Sequence, residues 1–326
     1  MKIALTGASG HIGQTLIKLL LQQNHEVRIL VHRVKPQQVK GNVEVFQGDV
    51  LDKISLYPFL DGCDALIHAS GKIGLGYRFE QAVYDVNVVG TQNILEVAYE
   101  LKIKKVVHFS SIHIFDQKPY HLPLDETRRF VSNQSVFYDQ TKRDAHLFAL
   151  KMAEKGMNIS IVCPTAVLGP NDTLPSKLGK AIVDIYKGNI PAVVKGGFDF
   201  VDVRDVAQGT LVALEKGKRG ETYILGGNYH SIKEFAALVL KEKNSKKNLP
   251  ELPLWTAYLG LPFVQFYSKI SKNPPLYDKV YLDILQDGNR QILSNNAKLN
   301  LNYSPRPLAE TIHDTVEFFF PGKKRE

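Results

Sequence analysis

Lys2-Ile3-Ala4-Leu5-Thr6-Gly7-Ala8-Ser9-Gly10-His11-Ile12-Gly13 is the stretch that decides the fold. An apolar run breaks at glycine and resumes as Ile12, Leu16, Leu19 and Leu20, the pattern of a buried strand, a tight turn and an amphipathic helix. Glycines in such a turn let the backbone approach a pyrophosphate. The free N–H groups and the positive end of the helix dipole then stabilise its charge. The spacing is Gly-x-x-Gly-x-x-Gly, not Gly-x-Gly-x-x-Gly, and by itself it also fits an ordinary strand-to-helix turn. Segments further along the chain decide between the two.

A chain of 326 residues has room for one large α/β domain or two smaller ones with an ample core. The net charge of +8 is spread along the sequence except at Lys241 to Lys247 and Lys323-Lys324-Arg325. Those runs read as a solvated loop and terminus. The alternative is an acidic ligand or nucleic acid, but no basic stripe is interleaved with aromatics, and no nucleic-acid partner is expected. Cys63 and Cys163 lie far apart in or beside apolar runs, which predicts core packing in a reducing, cytoplasmic setting. No metal-ligand spacing is present. No signal peptide is expected, because the glycine turn precedes any apolar h-region, and no stretch reaches transmembrane length.

Val27–Val31 reads as a second parallel strand whose end should meet an adenosine ribose. Val31, His32 and Arg33 stand there, with no carboxylate for a ribose hydroxyl. Arg33 suits a 2′-phosphate, which favours NADP(H) over NAD(H); otherwise Arg33 and Lys35 simply point into water. A third strand, Val43–Gln47, ends at Gly48-Asp49-Val50, where Asp49 also fits a turn or cap. The fourth, Ala65–His68, runs into Ala69-Ser70-Gly71, and His68 reads as a satisfied buried histidine without a catalytic role. The glycine-punctuated segment after it, Lys72 to Arg78, is a candidate substrate loop or a plain surface loop. Asn87 then falls inside a predicted helix through Ile94, Leu95 and Ala98, which implies a buried hydrogen-bonding task.

The fifth strand, Val106–Phe109, stops at Ser110-Ser111, and a helix beginning near Phe137 carries Tyr138 and Lys142 four residues apart, on one face. An ammonium there would lower a tyrosine from its usual pKa of about 10 toward working pH. A serine hydroxyl bonding the substrate oxygen would complete a proton-transfer site.

Thr6-Gly7-x-x-Gly10-x-x-Gly13, Asn87-Val-x-Gly90-Thr91, Ser110-Ser111 and Tyr138-x-x-x-Lys142 together resemble the extended short-chain dehydrogenase/reductases of the NAD-dependent epimerase/dehydratase superfamily, over nearly the whole chain. The resemblance implies a catalytic triad of Ser111, Tyr138 and Lys142, with the hydride supplied by the cofactor. It departs at Phe115-Asp116, where Tyr-Gly is more usual, beyond the triad. The implied cofactor set is Thr6, Gly7, Gly10, His11, Ile12, Gly13, His32, Arg33, Asp49, Val50, His68, Ala69, Ser70, Asn87, Ser110, Tyr138, Lys142, Pro164 and Thr165. Within that set Asp49 would accept from the adenine amino group. Pro164-Thr165-Ala166-Val167-Leu168-Gly169-Pro170 looks like the dihydroflavonol 4-reductase and 3β-hydroxysteroid dehydrogenase-like branch. Nucleotide-sugar epimerases commonly carry Asn where Ala166 stands, and sugar 4,6-dehydratases carry Asp-Glu where this chain has Ile112-His113.

The expected fold is a doubly wound parallel α/β sheet with a smaller C-terminal substrate lobe. Residues 1–166 should form the Rossmann core, with 196–226 returning to it, and 167–326 mainly the lobe. Asp205 is placed to cap a helix through Leu211 and Leu214, and Ser231-Ile232-Lys233-Glu234 is a capping box. The aromatic-rich stretch 252–277 suits a helical lid on the core, an apolar pocket wall or contact with a membrane surface. A last helix buries Leu308, Ile312 and Val316. The expected activity is hydride transfer between NADPH and a ketone or aldehyde of a small, fairly apolar substrate. A sugar epimerase of the same superfamily is the runner-up. The rival from another class is a non-catalytic NADP(H) sensor, which would have no need of the tyrosine hydroxyl. By analogy alone, a homodimer would pair through the Tyr138 and Asn87 helices.

Overall fold

The computed structural model describes residues 1–32, 41–74, 76–271 and 279–322. The expectations at Arg33, Lys35, Leu75, residues 272–277 and the Lys323-Lys324-Arg325 tail lie outside the described residues.

In chain order, the first half contains β1 Lys2–Thr6, α1 His11–Gln22, β2 Glu26–Val31, β3 Val43–Gln47, α2 Lys53–Leu60 and β4 Ala65–His68. It continues with α3 Gln81–Tyr84, α4 Gly90–Glu100, β5 Lys105–Phe109, α5 Phe137–Glu154 and β6 Ile159–Pro164. The second half contains β7 Ala166–Leu168, α6 Lys177–Lys187, β8 Val193–Val194, β9 Gly197–Asp202, α7 Val203–Lys216 and β10 Thr222–Leu225. It ends with β11 Asn228–Ser231, α8 Ile232–Glu242, β12 Glu251–Leu252, α9 Leu254–Ser271, α10 Lys279–Asp287, α11 Asn295–Leu301 and α12 Leu308–Phe319.

Seven strands form one sheet in the order β10-β6-β5-β4-β1-β2-β3, and every neighbouring pair is parallel. Parallel strands need helical crossovers, and the crossovers cover both faces. On one face α1 and α7 bury Leu16, Leu20, Val206, Leu211 and Leu214 against β1, β2 and β5. On the other, α2, α4 and α5 bury Phe59, Ile94, Leu95 and Met152. The chain leaves β1 toward β2 and β3, then returns past it to β4, β5 and β6. The crossovers therefore diverge between β1 and β4, which opens a crevice at the C-terminal ends of those strands.

A three-stranded sheet, β11-β9-β7, and the helices α6, α8 and α12 enclose a separate apolar cluster that includes Ile182, Phe200, Phe235 and Ile312. The predicted capping box is present: the Ser231 hydroxyl accepts from the Glu234 N–H at 3.1 Å, and the Glu234 carboxylate accepts from the Ser231 N–H at 2.8 Å. The predicted Asp205 cap is corrected. Helix α7 starts one turn earlier, and Asp202 caps it by accepting from the Arg204 N–H at 2.7 Å. Asp205 lies in the first turn and instead receives the Arg306 backbone N–H at 2.8 Å and its Nε at 2.9 Å. Both cysteines are buried free thiols.

The predicted helix around Asn87 departs from α geometry. Asp85–Val89 forms one π turn between α3 and α4, a widening that accommodates an inserted residue and recurs at functional sites. Among the described residues no helix is long and apolar enough to cross a membrane. Helix α9 nevertheless turns Trp255, Leu259 and Phe263, at four-residue spacing, toward solvent with 62%, 66% and 77% of their surface exposed.

Candidate active site

The site starts from the glycine turn. Gly7 has φ +75°, and a Cβ there would lie 2.5 Å from the Ala69 carbonyl oxygen, so the β1 and β4 turns touch only because this residue is glycine. A Cβ on Gly13 would lie 2.2 Å from the Gly7 carbonyl oxygen. Gly10 differs: it is exposed, its φ is −78°, and the nearest atom to a Cβ would be the Gly7 oxygen at 3.4 Å. Nothing in the protein itself demands glycine at 10. It caps α1 without a side-chain hydrogen bond, and the first turn of that helix carries no acidic residue. The bare N-terminus of a twelve-residue helix, fronted by an exposed glycine, fits a pyrophosphate.

Thr6 ties the two turns together. Its hydroxyl is 2.8 Å from His68 Nδ1 and accepts the Ser70 N–H at 3.2 Å. The other ring nitrogen of His68 meets Thr91 Oγ1 at 3.0 Å, and burial pushes this imidazole down to about 3, so it is neutral. His68 is thus the satisfied buried histidine expected. Its ring stacks on His108, whose two nitrogens have no hydrogen-bond partner among the described residues. His11 Nε2 reaches the Pro170 carbonyl at 2.9 Å, holding the segment after β7 against α1. At the end of β2, the half-exposed His32 ring lies 3.4 Å from the Asp49 carboxylate. Asp49 also caps its own turn by accepting the Leu51 N–H at 3.0 Å, so the turn reading of Asp49 is realised as well. Val50 is buried under Gly90, where a Cβ would meet it at 2.7 Å. Ile12 is half-buried against the core. Pro164 pairs with Leu225, and Thr165 sits beside the Asp199 carboxyl.

Asn87 occupies the π turn. Its side-chain amide pairs with the backbone of Lys72, accepting the N–H at 2.8 Å and donating to the carbonyl at 2.9 Å, and it donates to Thr141 Oγ1 at 3.0 Å. The Thr141 hydroxyl in turn donates to the Tyr138 carbonyl at 2.8 Å. One side chain therefore fixes the loop after β4 to the helix that bears Tyr138 and Lys142.

The structure brings Ser111, Tyr138 and Lys142 together at the C-terminal end of β5. Ser111 caps a short 3-10 turn, Ile112–Ile114, accepting the His113 N–H at 3.2 Å, and its hydroxyl lies near enough to the Tyr138 phenol to favour the phenolate. Lys142 is buried and donates to the Phe109 carbonyl at 2.5 Å, and burial lowers its ammonium to about 8. Burial pushes the Tyr138 phenol above its ordinary range, the Asp139 charge adds to this, and Ser111 offsets part of it. The expected lowering of Tyr138 by Lys142 is absent here: the ammonium is held at a backbone carbonyl, and desolvation outweighs the rest. Ser110 faces a different set of groups, its hydroxyl 3.1 Å from His146 Nδ1.

A cavity of about 330 Å³ lies between the 113–120 segment, Asp139 in the first turn of α5, and helix α10. His113, Asp139 and Asp283 line it, and sequence reasoning singled out none of the three for the site. Asp139 carried one signal, its place directly after Tyr138. Asp283 carried none, because α10 reaches the cavity from far along the chain. There the Asp283 carboxylate accepts the Tyr77 and Tyr258 hydroxyls, each at 2.7 Å.

A parallel sheet with a phosphate-fitting turn at its switch point and a Ser/Tyr/Lys group at the end of β5 defines a nucleotide-dependent enzyme of the short-chain dehydrogenase/reductase type. The family model for the NAD-dependent epimerase/dehydratase family matches residues 3–226, and the chain belongs to that family. Sterol demethylase protein B of Methylococcus capsulatus is 32% identical over 234 residues, 71% of each chain. A putative dihydroflavonol 4-reductase of Synechocystis sp. is 32% identical over 273 residues, 82% of this chain and 78% of that one. The crystal structure of gox2253 superposes with a TM-score of 0.83 at 29% identity, covering 99% of both chains. In fold alone, the UDP-glucose 4-epimerase of Thermus thermophilus, solved with NAD, is similar at a TM-score of 0.78 and 19% identity, covering 99% of this chain and 100% of that one.

Proposed function

We propose that this protein transfers hydride between NADPH and a ketone or aldehyde on a small, fairly apolar substrate. The observation that carries the reading is the placing of Ser111 near Tyr138 at the end of β5, with a buried Lys142 and a glycine turn that fits a pyrophosphate. The similarity to a putative dihydroflavonol 4-reductase supports the same class of reaction.

The bound cofactor would supply the hydride, and the protein's own groups do the rest. Thr6, Gly7, Gly10 and Gly13 would hold the pyrophosphate at the α1 N-terminus. Ser111 donates to the substrate carbonyl oxygen and orients it. Tyr138 delivers a proton from its Oη to that oxygen in reduction and takes it back in oxidation. Lys142 would stabilise the phenolate left behind once its ammonium turns from the Phe109 carbonyl toward Tyr138, and Asn87 positions the helix that carries both.

The preference for NADP(H) is supported by the lack of a carboxylate directly after β2, where Val31, His32 and Arg33 stand. Residues 1–166 with the returning α7 and β10 form the cofactor half of this proposal and most of 167–326 the substrate half; of the expected return 196–226, β9 instead joins the β11-β9-β7 sheet. Two buried free thiols favour a reducing, cytoplasmic setting. The exposed Trp255, Leu259 and Phe263 favour contact of α9 with a second surface, either a membrane face or a second copy in a homodimer. A sugar epimerase is the second reading, and the fold similarity to UDP-glucose 4-epimerase is what favours it.

NADPH and NADH oxidation by the purified protein, across aldehydes, flavonoid-type ketones and steroid ketones, tests the proposal. Turnover favouring NADPH supports it. Tight cofactor binding without turnover on any carbonyl would move the assignment to the epimerase.

A further inference from the structure

The geometry points to Asp139 as the residue that selects the substrate: it would bind a hydroxyl or ammonium group carried by the carbonyl compound at a distance from the reacting carbon. This deepens the carbonyl-reductase reading and rests on it.

Asp139 follows Tyr138 in the first turn of α5, its charge acts on the Tyr138 phenol, and it lines the cavity together with His113, two residues after Ser111. The other two carboxylates of that cavity are matched. Asp116 holds Arg129 at 2.7 Å, and Asp283 accepts two tyrosine hydroxyls and lies 3.6 Å from Lys279. No described residue donates a hydrogen bond to the Asp139 carboxyl, and His113, which lines the same cavity, acts on it only electrostatically. The Asp139 side chain is partly withdrawn from water with no protein donor in its place. Burial accordingly raises this one to about 6, against the opposing pull of His113. A ligand N–H or O–H offered from the cavity would supply the missing donor in a charge-assisted hydrogen bond.

The position matters for selectivity. A site that holds an unmatched polar group rejects ligands that cannot pair with it far more strongly than an apolar wall rejects a misfit. The proposed division of labour is therefore Ser111 and Tyr138 on the carbonyl oxygen, and Asp139 on a donor elsewhere in the same molecule.

The test uses cyclohexanones that carry a hydroxyl, an ammonium or a methyl group opposite the carbonyl, with the wild type, Asp139→Asn and Asp139→Leu. The wild type should prefer one donor-bearing ketone over the methyl ketone by about tenfold in kcat/KM, mostly through KM, because the contact is equal in ground and transition states. Asp139→Leu should erase that preference, read as the ratio of kcat/KM between the ketones within each protein, and Asp139→Asn should reduce it. Calorimetric binding of the same three ketones to the cofactor-loaded protein gives a second readout. Equal handling of all three ketones by the wild type, or a preference that survives Asp139→Leu, would overturn the assignment. If no ketone is turned over but the donor-bearing ones bind more tightly through Asp139, the reductase reading fails while the subsite stands. The hydroxyl and ammonium arms identify which donor the cavity takes.

Discussion

Lys142 Nζ donates to the backbone carbonyl of Phe109, the last residue of β5, at 2.5 Å. The lysine that should stabilise a tyrosinate is thus anchored to the strand whose end carries Ser111. Burial brings its ammonium down to about 8 from an ordinary lysine value, so the folded protein binds fewer protons than the unfolded chain between roughly that pH and 10.5. Stability from this group therefore rises with pH through that window. Urea unfolding of wild type and Lys142→Met at about pH 7 and about pH 10 should show the wild type gaining relative to the variant at the higher pH. An unchanged difference would mean that Lys142 titrates normally.

Gly7 and Gly10 belong to one motif but should fail differently. Gly7→Ala places a methyl 2.5 Å from Ala69 O at a positive φ, which should cost about 2 kcal/mol or more and lower the melting temperature. Gly10→Ala places a Cβ no nearer than 3.4 Å to the Gly7 oxygen at a negative φ, so the melting temperature should hold while NADPH affinity falls at least about tenfold. Differential scanning fluorimetry with and without NADPH reads both. Equal destabilisation by the two changes would refute the idea that Gly10 is kept for a ligand.

Asn87 makes three hydrogen bonds from within the π turn. Asn87→Leu should leave the Lys72 backbone unpaired and cost about 2 kcal/mol in urea unfolding. It should also lower kcat more than it raises KM, because the loop after β4 and the Tyr138 helix lose their shared anchor. An intact kcat would confine Asn87 to a structural role.

Trp255 is the chain's single tryptophan, and it is 62% exposed on α9. Fluorescence excited beyond the tyrosine absorption band therefore reports on that helix alone. A blue shift on adding phospholipid vesicles, lost in Leu259→Ser/Phe263→Ser, is the outcome expected for a membrane contact. A blue shift that follows protein concentration without lipid identifies a second copy, and no shift in either experiment would show that the face stays in water.

The sequence exposed what is local and backbone-driven. The glycine turn, the parallel strands, the Ser231–Glu234 capping box and the Tyr138/Lys142 face each lie within a dozen residues, where period and turn chemistry are readable. Contacts between distant segments were not readable. Asn87 was expected to hydrogen-bond, but its partner is the Lys72 backbone, and only the folded chain shows that a π turn sets the approach. Asp205 and Asp202 both suit a helix start; in the folded chain Asp202 makes the cap, and Asp205 receives Arg306, a hundred residues on. The Asp139 cavity is closed by α10, which no motif tied to the site.

Transfer of deuterium from NADPH labelled at the nicotinamide reacting carbon, followed by mass spectrometry of the reduced carbonyl product, tests the central claim most directly. The account predicts a product one mass unit heavier with the wild type and a rate at least about a hundredfold lower with Tyr138→Phe. An unlabelled product, or full activity in Tyr138→Phe, would contradict it.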